Sequence, residues 1–161
     1  MSKIVIFGNS GSGKSTLARQ LSHSQGLVHL DLDTLAWKPT SPPERVPIEQ
    51  SSKEIGRFVS AHKAWVIEGC YSDLLALIVS TATEIIFTNL PVELCIENAK
   101  NRPWEPHKYP SKAAQDDNLA MLTEWIARYP ERDDTFSFAA HKALYDAYSG
   151  KKTLYSNNDW S

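Results

Sequence analysis

Eight residues near the start of the chain, Gly8-Asn9-Ser10-Gly11-Ser12-Gly13-Lys14-Ser15, have the types and spacing needed to hold a polyphosphate. They fit the pattern G-x-x-x-x-G-K-[ST] without a mismatch. Phosphates carry dense negative charge and must exchange water for other donors. Glycines let the backbone curl into a nest whose N–H groups point inward. A helix starting at Lys14 adds the positive end of its dipole. Lys14 reaches the β- and γ-phosphates as a point charge, and Thr16 completes the phosphate-binding set. The Ser15 hydroxyl is a hard oxygen ligand suited to Mg²⁺. The expected ligand is a nucleoside triphosphate such as ATP, bound with Mg²⁺.

Such a loop works only between a buried strand and a helix, and the surrounding sequence supplies both. Ile4-Val5-Ile6-Phe7 is continuous, apolar and rich in β-branched residues. That pattern predicts a strand covered on both faces, as in a parallel sheet. Leu17, Ala18 and Leu21 form the stripe of a helix from Lys14 to about Ser24, with Gly26 as its stop. Further strands are expected at residues 27–30, 65–67, 85–88 and 153–155. Helices are expected over 48–61, from a cap at Ser72 to Val79, from Pro91 to about Lys100, from a cap at Ser111 to Tyr129, and over 135–148. Alternation of strand and helix implies an α/β fold with a parallel sheet between two helical layers. Two Pro-rich stretches interrupt it, at 38–47 and 102–110.

Ligands of open parallel sheets bind at the carboxyl ends of the strands. Three carboxylates fall at such ends: Asp31, Asp33 and Glu68. If the strand ending in Glu68 lies beside the first strand, its carboxylate faces the phosphate loop and can hold a water on Mg²⁺. Asp33 can contact an acceptor or take a proton from an acceptor hydroxyl. Asp31 is expected on the opposite face of the strand end and ranks below Asp33. Phosphoryl transfer needs positioning and charge neutralisation more than covalent chemistry. A cation over the γ-phosphate is therefore expected, from Arg102, Lys108, Arg128 or Arg132, with Arg102 and Arg132 preferred. Arg45 and Arg57 flank the acceptor side. Trp37, Trp104 and Tyr71 are candidates to stack on a base or to pack. Tyr155 and Asn157 follow the fifth strand, where a base could rest.

The bulk numbers bound the function. A length of 161 residues favours one domain spanning 1–161. A formal net charge of -2 leaves no electrostatic footprint for general nucleic-acid binding. Cys70 and Cys95 are too few for a disulfide framework and, like the five histidines, lack metal-ligand spacing. No apolar run is long enough to span a bilayer. Together these features lead to an expectation of a cytoplasmic protein with no membrane partner.

Four stretches together resemble a known family. They are the phosphate loop, Leu30-Asp31-Leu32-Asp33-Thr34-Leu35-Ala36-Trp37-Lys38-Pro39, Trp65-Val66-Ile67-Glu68-Gly69-Cys70-Tyr71-Ser72, and the strand from Ile85 to Pro91. The chain is similar to the adenylate-kinase-like P-loop proteins named DNA topology modulation proteins, in the nucleoside-monophosphate-kinase-like superfamily. The resemblance covers most of the chain. It implies a P-loop NTPase three-layer sandwich with five parallel strands in the order 2-3-1-4-5. It sets Glu68 at the acidic position of the strand-three motif and Asp33 four residues before the tryptophan. It makes residues 102–110 a short lid; residues 38–64 are expected to close over the acceptor. Arg132-Asp133-Asp134 resembles the arginine-aspartate pair that follows the lid in adenylate kinases. The chain departs from those enzymes in having Glu68-Gly69-Cys70-Tyr71 where they carry Asp-Gly-Phe-Pro-Arg, which weighs against AMP as acceptor.

The expected activity is an ATP- and Mg²⁺-dependent transfer of phosphate to a small molecule, as in a nucleotide or nucleoside kinase. A phosphate acceptor would need cations, and a hydroxyl acceptor would need a carboxylate. Sequence alone leaves these two open. A different class also stands: a slow ATPase or nucleotide-dependent switch acting through a protein or DNA partner. Its moving parts would be the two Pro-rich segments.

Overall fold

The apolar run that opens the chain becomes the central strand of the sheet. β1 (Lys3–Gly8) is buried from Ile4 onward because strands flank both its edges and helices cover both its faces. The computed structural model describes residues 1–40 and 43–160. Ser41 and Pro42, within the expected acceptor-binding segment, and Ser161 lie outside the described residues. After β1 come α1 (Lys14–Gln25), β2 (Val28–Asp31), α2 (Asp33–Ala36), α3 (Ile48–Ala61) and β3 (Trp65–Gly69). Then follow α4 (Ser72–Leu75), β4 (Glu84–Thr88), α5 (Val92–Lys100), α6 (Lys112–Ala127), α7 (Phe138–Ala147) and β5 (Lys151–Tyr155).

All five strands are parallel, in the order β2-β3-β1-β4-β5. This is the expected order, with the helices in two outer layers. Side chains alternate across the sheet. Val5 and Phe7 face a cluster with Trp65, Ile67, Ile85 and Phe87, closed by Ile55, Leu74 and Leu75. Ile4 and Ile6 face Val66, Ile86, Leu17 and Ala18 on the α1 side. A third cluster, of Leu90, Cys95, Ala99 and Ile126, joins α5 to α6. Cys95 lies on α5 as expected, and both cysteines are free. Among the described residues, no helix is long and apolar enough to cross a membrane.

Two helix starts differ from expectation, and one contact explains both. Ser72 does not cap a helix to Val79. It is the first residue of the short α4, and Tyr71 holds the cap position. The Ser72 hydroxyl instead meets Thr135 Oγ1 at 2.7 Å, and Thr135 Oγ1 accepts from the Asp73 N–H at 2.9 Å. Thr135 is thereby taken out of α7. That helix starts later, where the Ser137 hydroxyl accepts from the Ala140 N–H at 3.1 Å. Ser111 caps α6 as expected, accepting from Ala114 N at 3.0 Å.

A buried polar link ties α7 to the end of β3. His141 is 0% exposed, between the rings of Phe7, Phe87 and Tyr129. Burial pushes its pKa down to about 4, so the ring is neutral at ordinary pH. Nε2–H donates to the Cys70 carbonyl at 2.8 Å, which leaves Nδ1 to accept from the Tyr129 hydroxyl at 2.6 Å. Tyr129→Phe leaves that nitrogen buried without a donor. The variant is expected to lose about 1–3 kcal/mol of stability in urea denaturation. A midpoint equal to that of the parent protein would show the link to be dispensable.

Candidate active site

The phosphate loop lies at the carboxyl end of β1, and its shape rests on contacts from three other elements. The Ser12 hydroxyl meets Thr88 Oγ1, at the end of β4, at 2.6 Å. Gly11 has φ +78 and lies so close to the Cys95 carbonyl of α5 that a Cβ would collide with it. Asn98, also on α5, donates to the Gly11 carbonyl at 2.9 Å. Asn9 donates to the Ile126 carbonyl of α6 at 3.2 Å. Asn9 and Ser12 are buried, whereas Thr16 at the start of α1 is exposed. Gly13 has φ +86 and precedes α1, which begins at Lys14. The Lys14 ammonium bends back across the loop to the Asn9 carbonyl at 2.7 Å.

The register of β3 beside β1 brings Glu68 to this loop. Glu68 pairs with Ile6 and is 2% exposed. The Ser15 hydroxyl donates to its Oε2 at 2.7 Å, and His29 Nε2 lies 3.0 Å from the same oxygen. Ser15 and Glu68 are thus hard oxygen donors side by side, as Mg²⁺ requires. Among the described residues, no group of three or more His, Cys, Asp or Glu side chains is set to hold a metal. A cation at Ser15 and Glu68 would complete its shell with phosphate oxygens and water.

Beyond β2 the chain turns at Leu32, and the Asp33 N–H donates to Asp31 Oδ1 at 2.9 Å. Asp33 starts α2. Its Oδ2 accepts from Lys108 of the 102–110 stretch at 2.7 Å, and its Oδ1 accepts from the Tyr71 hydroxyl. Burial alone would raise the Asp33 carboxyl. Lys108, Tyr71 and Lys14 outweigh that effect and hold it below the ordinary range. Asp31 does not face away from Asp33. Leu32 has helical backbone angles, so the chain turns between the two residues and brings both carboxylates to one ammonium: Asp31 Oδ2 lies 3.7 Å from the same Lys108 nitrogen. Burial, then the charges of Glu68 and Asp33, raise Asp31 to about 6.

The preferred cations lie elsewhere. Arg102 pairs with Glu105 at 3.3 Å. Arg132 grips Asp134 through two nitrogens, at 2.9 and 2.8 Å, and stacks 4.1 Å over Trp125. Among the described residues, neither bonds to the phosphate loop or to Asp33. Arg128 pairs with Glu124 on its own helix. Arg57 pairs with Glu54, and Arg45 with Asp73 at 3.2 Å. Trp104 donates to the Tyr109 carbonyl within the lid, and Tyr155 packs edge-on against Trp160. Asn157 accepts from the Asp159 N–H at 2.8 Å.

The structure also brings to this region Lys108 and Asp31, which the sequence places behind other candidates, and His29 and Asn98, which it does not mark as site residues. For His29 and Asp31 the strand alternation was a usable signal. For Asn98 and Lys108 the partners are distant in sequence, and no local pattern marks them. No protein-family model matches the chain, and no curated protein is similar enough to it to show a family.

The raised Asp31 pKa makes a signed prediction. A carboxyl that holds its proton more tightly when folded stabilises the fold at low pH. That contribution is lost as pH rises through about 6. Asp31→Asn removes the charge but keeps an oxygen for the Asp33 N–H. Its melting temperature is expected above that of the parent at pH above 6. The gain should disappear as pH falls toward the ordinary value of 3.8. A variant less stable across the whole range contradicts this.

Proposed function

We propose that the chain transfers the γ-phosphoryl group of ATP to a hydroxyl group of a small molecule. The observation that carries this reading is the convergence of three features at the carboxyl ends of adjacent strands. These are the glycine-rich loop with Lys14, the Ser15–Glu68 oxygen pair, and a carboxylate, Asp33, held in its ionised form. The resemblance to adenylate-kinase-like proteins supports the same class of reaction. A hydroxyl acceptor is favoured over a phosphate acceptor for an electrostatic reason. Arg45, Arg102 and Arg132 each already pair with a carboxylate, whereas Asp33 would be available as a base to an acceptor hydroxyl once its partner Lys108 turns to a phosphoryl oxygen.

In this reading the loop N–H groups and Lys14 hold the phosphates, and Ser15 and Glu68 hold Mg²⁺. When bound, Mg²⁺ supplies charge neutralisation at the phosphate oxygens. Lys108 takes the part first expected of Arg102 or Arg132. It lies in the lid, beside Asp33, and can exchange that carboxylate for a phosphoryl oxygen when the acceptor arrives. The acceptor oxygen forms its bond to the γ-phosphorus as the bond to the β–γ bridging oxygen breaks. ADP leaves with that electron pair. The hydroxyl proton passes to Asp33 Oδ2 and then to water. Closure of the lid excludes water and limits hydrolysis.

Incubation with γ-labelled ATP and a panel of nucleosides, nucleoside monophosphates and small alcohols tests the proposal. A labelled phosphate ester on a hydroxyl is expected. Lys14→Ala should lower its rate by about a hundredfold or more, with the melting temperature unchanged. Label found only as free phosphate, indifferent to every acceptor, would instead favour a slow ATPase or switch.

A further inference from the structure

Asp33 has two oxygens, and the structure treats them differently. Oδ2 faces the ammonium of Lys108, a residue of an irregular turn that can withdraw. Oδ1 faces Tyr71, which is 2% exposed and fixed from several sides. The Arg45 guanidinium lies 5.0 Å from the Tyr71 ring centre and is itself held by Asp73. Phe136 meets the ring edge-on at 5.4 Å, and Trp37 does so at 6.3 Å.

Hydrogen-bond direction follows from the chemistry of the groups. Trp37 Nε1–H lies 2.7 Å from the Tyr71 hydroxyl. An indole nitrogen can only donate, so the tyrosine oxygen accepts from it. The phenolic proton is then free for the neighbouring acceptor, the Asp33 carboxylate. Burial, with Cys70 and Asp33 nearby, raises the phenol far above its ordinary value, so that proton stays on Tyr71. The relay runs one way, from Trp37 through Tyr71 to Asp33 Oδ1.

Resting on the reading that Asp33 takes the acceptor's proton, we infer that Tyr71, anchored by Trp37, is a positioning residue. It commits one oxygen of Asp33 to the fold and presents the other to the acceptor hydroxyl. A ring needed only for packing would serve as well without its hydroxyl. Here the hydroxyl is the one atom that reaches the carboxylate. The charged and titratable groups that act on Asp33 come from four places. They are Lys108 in the lid, Lys14 at the phosphate loop, Asp31 at the end of β2, and Tyr71 with Cys70 after β3. Of these, Tyr71 is the buried neutral donor.

The test is the ¹³C-carboxyl NMR titration of Asp33 in the parent protein, in Tyr71→Phe and in Trp37→Phe. Both variants keep an aromatic ring; Tyr71→Phe removes the hydroxyl that donates to Asp33 and accepts from Trp37, and Trp37→Phe removes the indole N–H together with part of the ring that faces Arg45. Losing a donor to the ionised carboxylate makes Asp33 a weaker acid. Its midpoint should rise, roughly tenfold in acid strength for Tyr71→Phe and less for Trp37→Phe. In the transfer assay Tyr71→Phe should lower kcat with KM for the acceptor unchanged, and its acid limb should move to higher pH. Identical midpoints in all three proteins overturn the inference. So does a shift in Tyr71→Phe without one in Trp37→Phe, because the anchor would then be absent. Should Tyr71→Phe fail to fold, the Trp37→Phe midpoint decides. A raised midpoint with no Lys14-dependent transfer to any acceptor refutes the proposed function and leaves the hydrogen-bond relay standing.

Discussion

Three carboxylates crowd together because the sheet is parallel. β2 and β3 end at the same level, so Asp31 lies opposite Glu68 in register, and Asp33 follows two residues on. Glu68 is buried and Asp31 and Asp33 are half-buried, and like charges at close range in a partly buried site oppose ionisation. The rest of the site can be understood as the response to that constraint. Ser15 and His29 serve Glu68, Lys108 serves Asp33 and Asp31, and Tyr71 serves Asp33. Where the response is incomplete, at Asp31, the proton is held up to about 6. Under the proposed function, negative charge concentrated beside the glycine-rich loop would attract a divalent cation and a flexible ammonium. Those two charges are the ones that phosphoryl transfer needs.

The lid follows from the same electrostatics. Residues 102–110 have no regular structure of their own. They are tied to α6, where Gln115 accepts from the Glu105 N–H at 2.8 Å and Asn118 donates to the Tyr109 hydroxyl at 2.9 Å, and to the strand ends through Lys108, whose ammonium reaches Asp33 at 2.7 Å, Glu105 at 3.6 Å and Asp31 at 3.7 Å. A contact of this kind is strong only while its partners are desolvated. Water or a ligand entering beside Asp33 weakens it and loosens the lid together with it. Under the proposed function, opening and acceptor entry would be coupled through this one charge pair. Arg102 cannot take this part while Glu105 holds it, and Arg132 is held by both Asp134 and the Trp125 ring.

What could be read from the sequence divides along a physical line. The strand order is what the family resemblance implies, and it brings Glu68 to Ser15; the loop, the strands and the carboxylate at the end of β3 follow from contiguous patterns. Those patterns are a motif, the apolar runs, and a carboxylate ending a strand. Arg102 and Arg132 are paired with local partners: Glu105 is three residues from one and Asp134 two from the other. Charge pairs at such spacings form before any long-range contact is considered. Lys108, 75 residues from Asp33, and Tyr71, 38 residues away, carry no such local mark. Their partnership exists only once β2, β3 and the lid are packed. The helix starts at Ser72 and Thr135 misled for the same reason. Each hydroxyl had a local use as a cap, yet each is spent on the other.

The site is finally a junction of two supports of different stiffness. On one side, the phosphate loop is braced by β4, α5 and α6 through Thr88, Asn98 and the Ile126 carbonyl. On the other, Asp33 is braced by a block of aromatic rings, Trp37, Tyr71 and Phe136, with Arg45 set among them. The Ser72–Thr135 contact joins that block to the segment leading into α7, and the His141 link joins α7 to Cys70, next to Tyr71. The first brace is made of side-chain hydrogen bonds to β4, α5 and α6 and the second of ring packing with the Tyr71 hydrogen bond, so the distance between the loop and Asp33 rests on two separate supports. Catalysis by positioning needs that distance fixed before any ligand arrives. The one contributor not so fixed is Lys108. A phosphoryl-transfer site of this design would keep its loop and its base rigid and leave motion to a single ammonium, which neutralises the base while the site is idle.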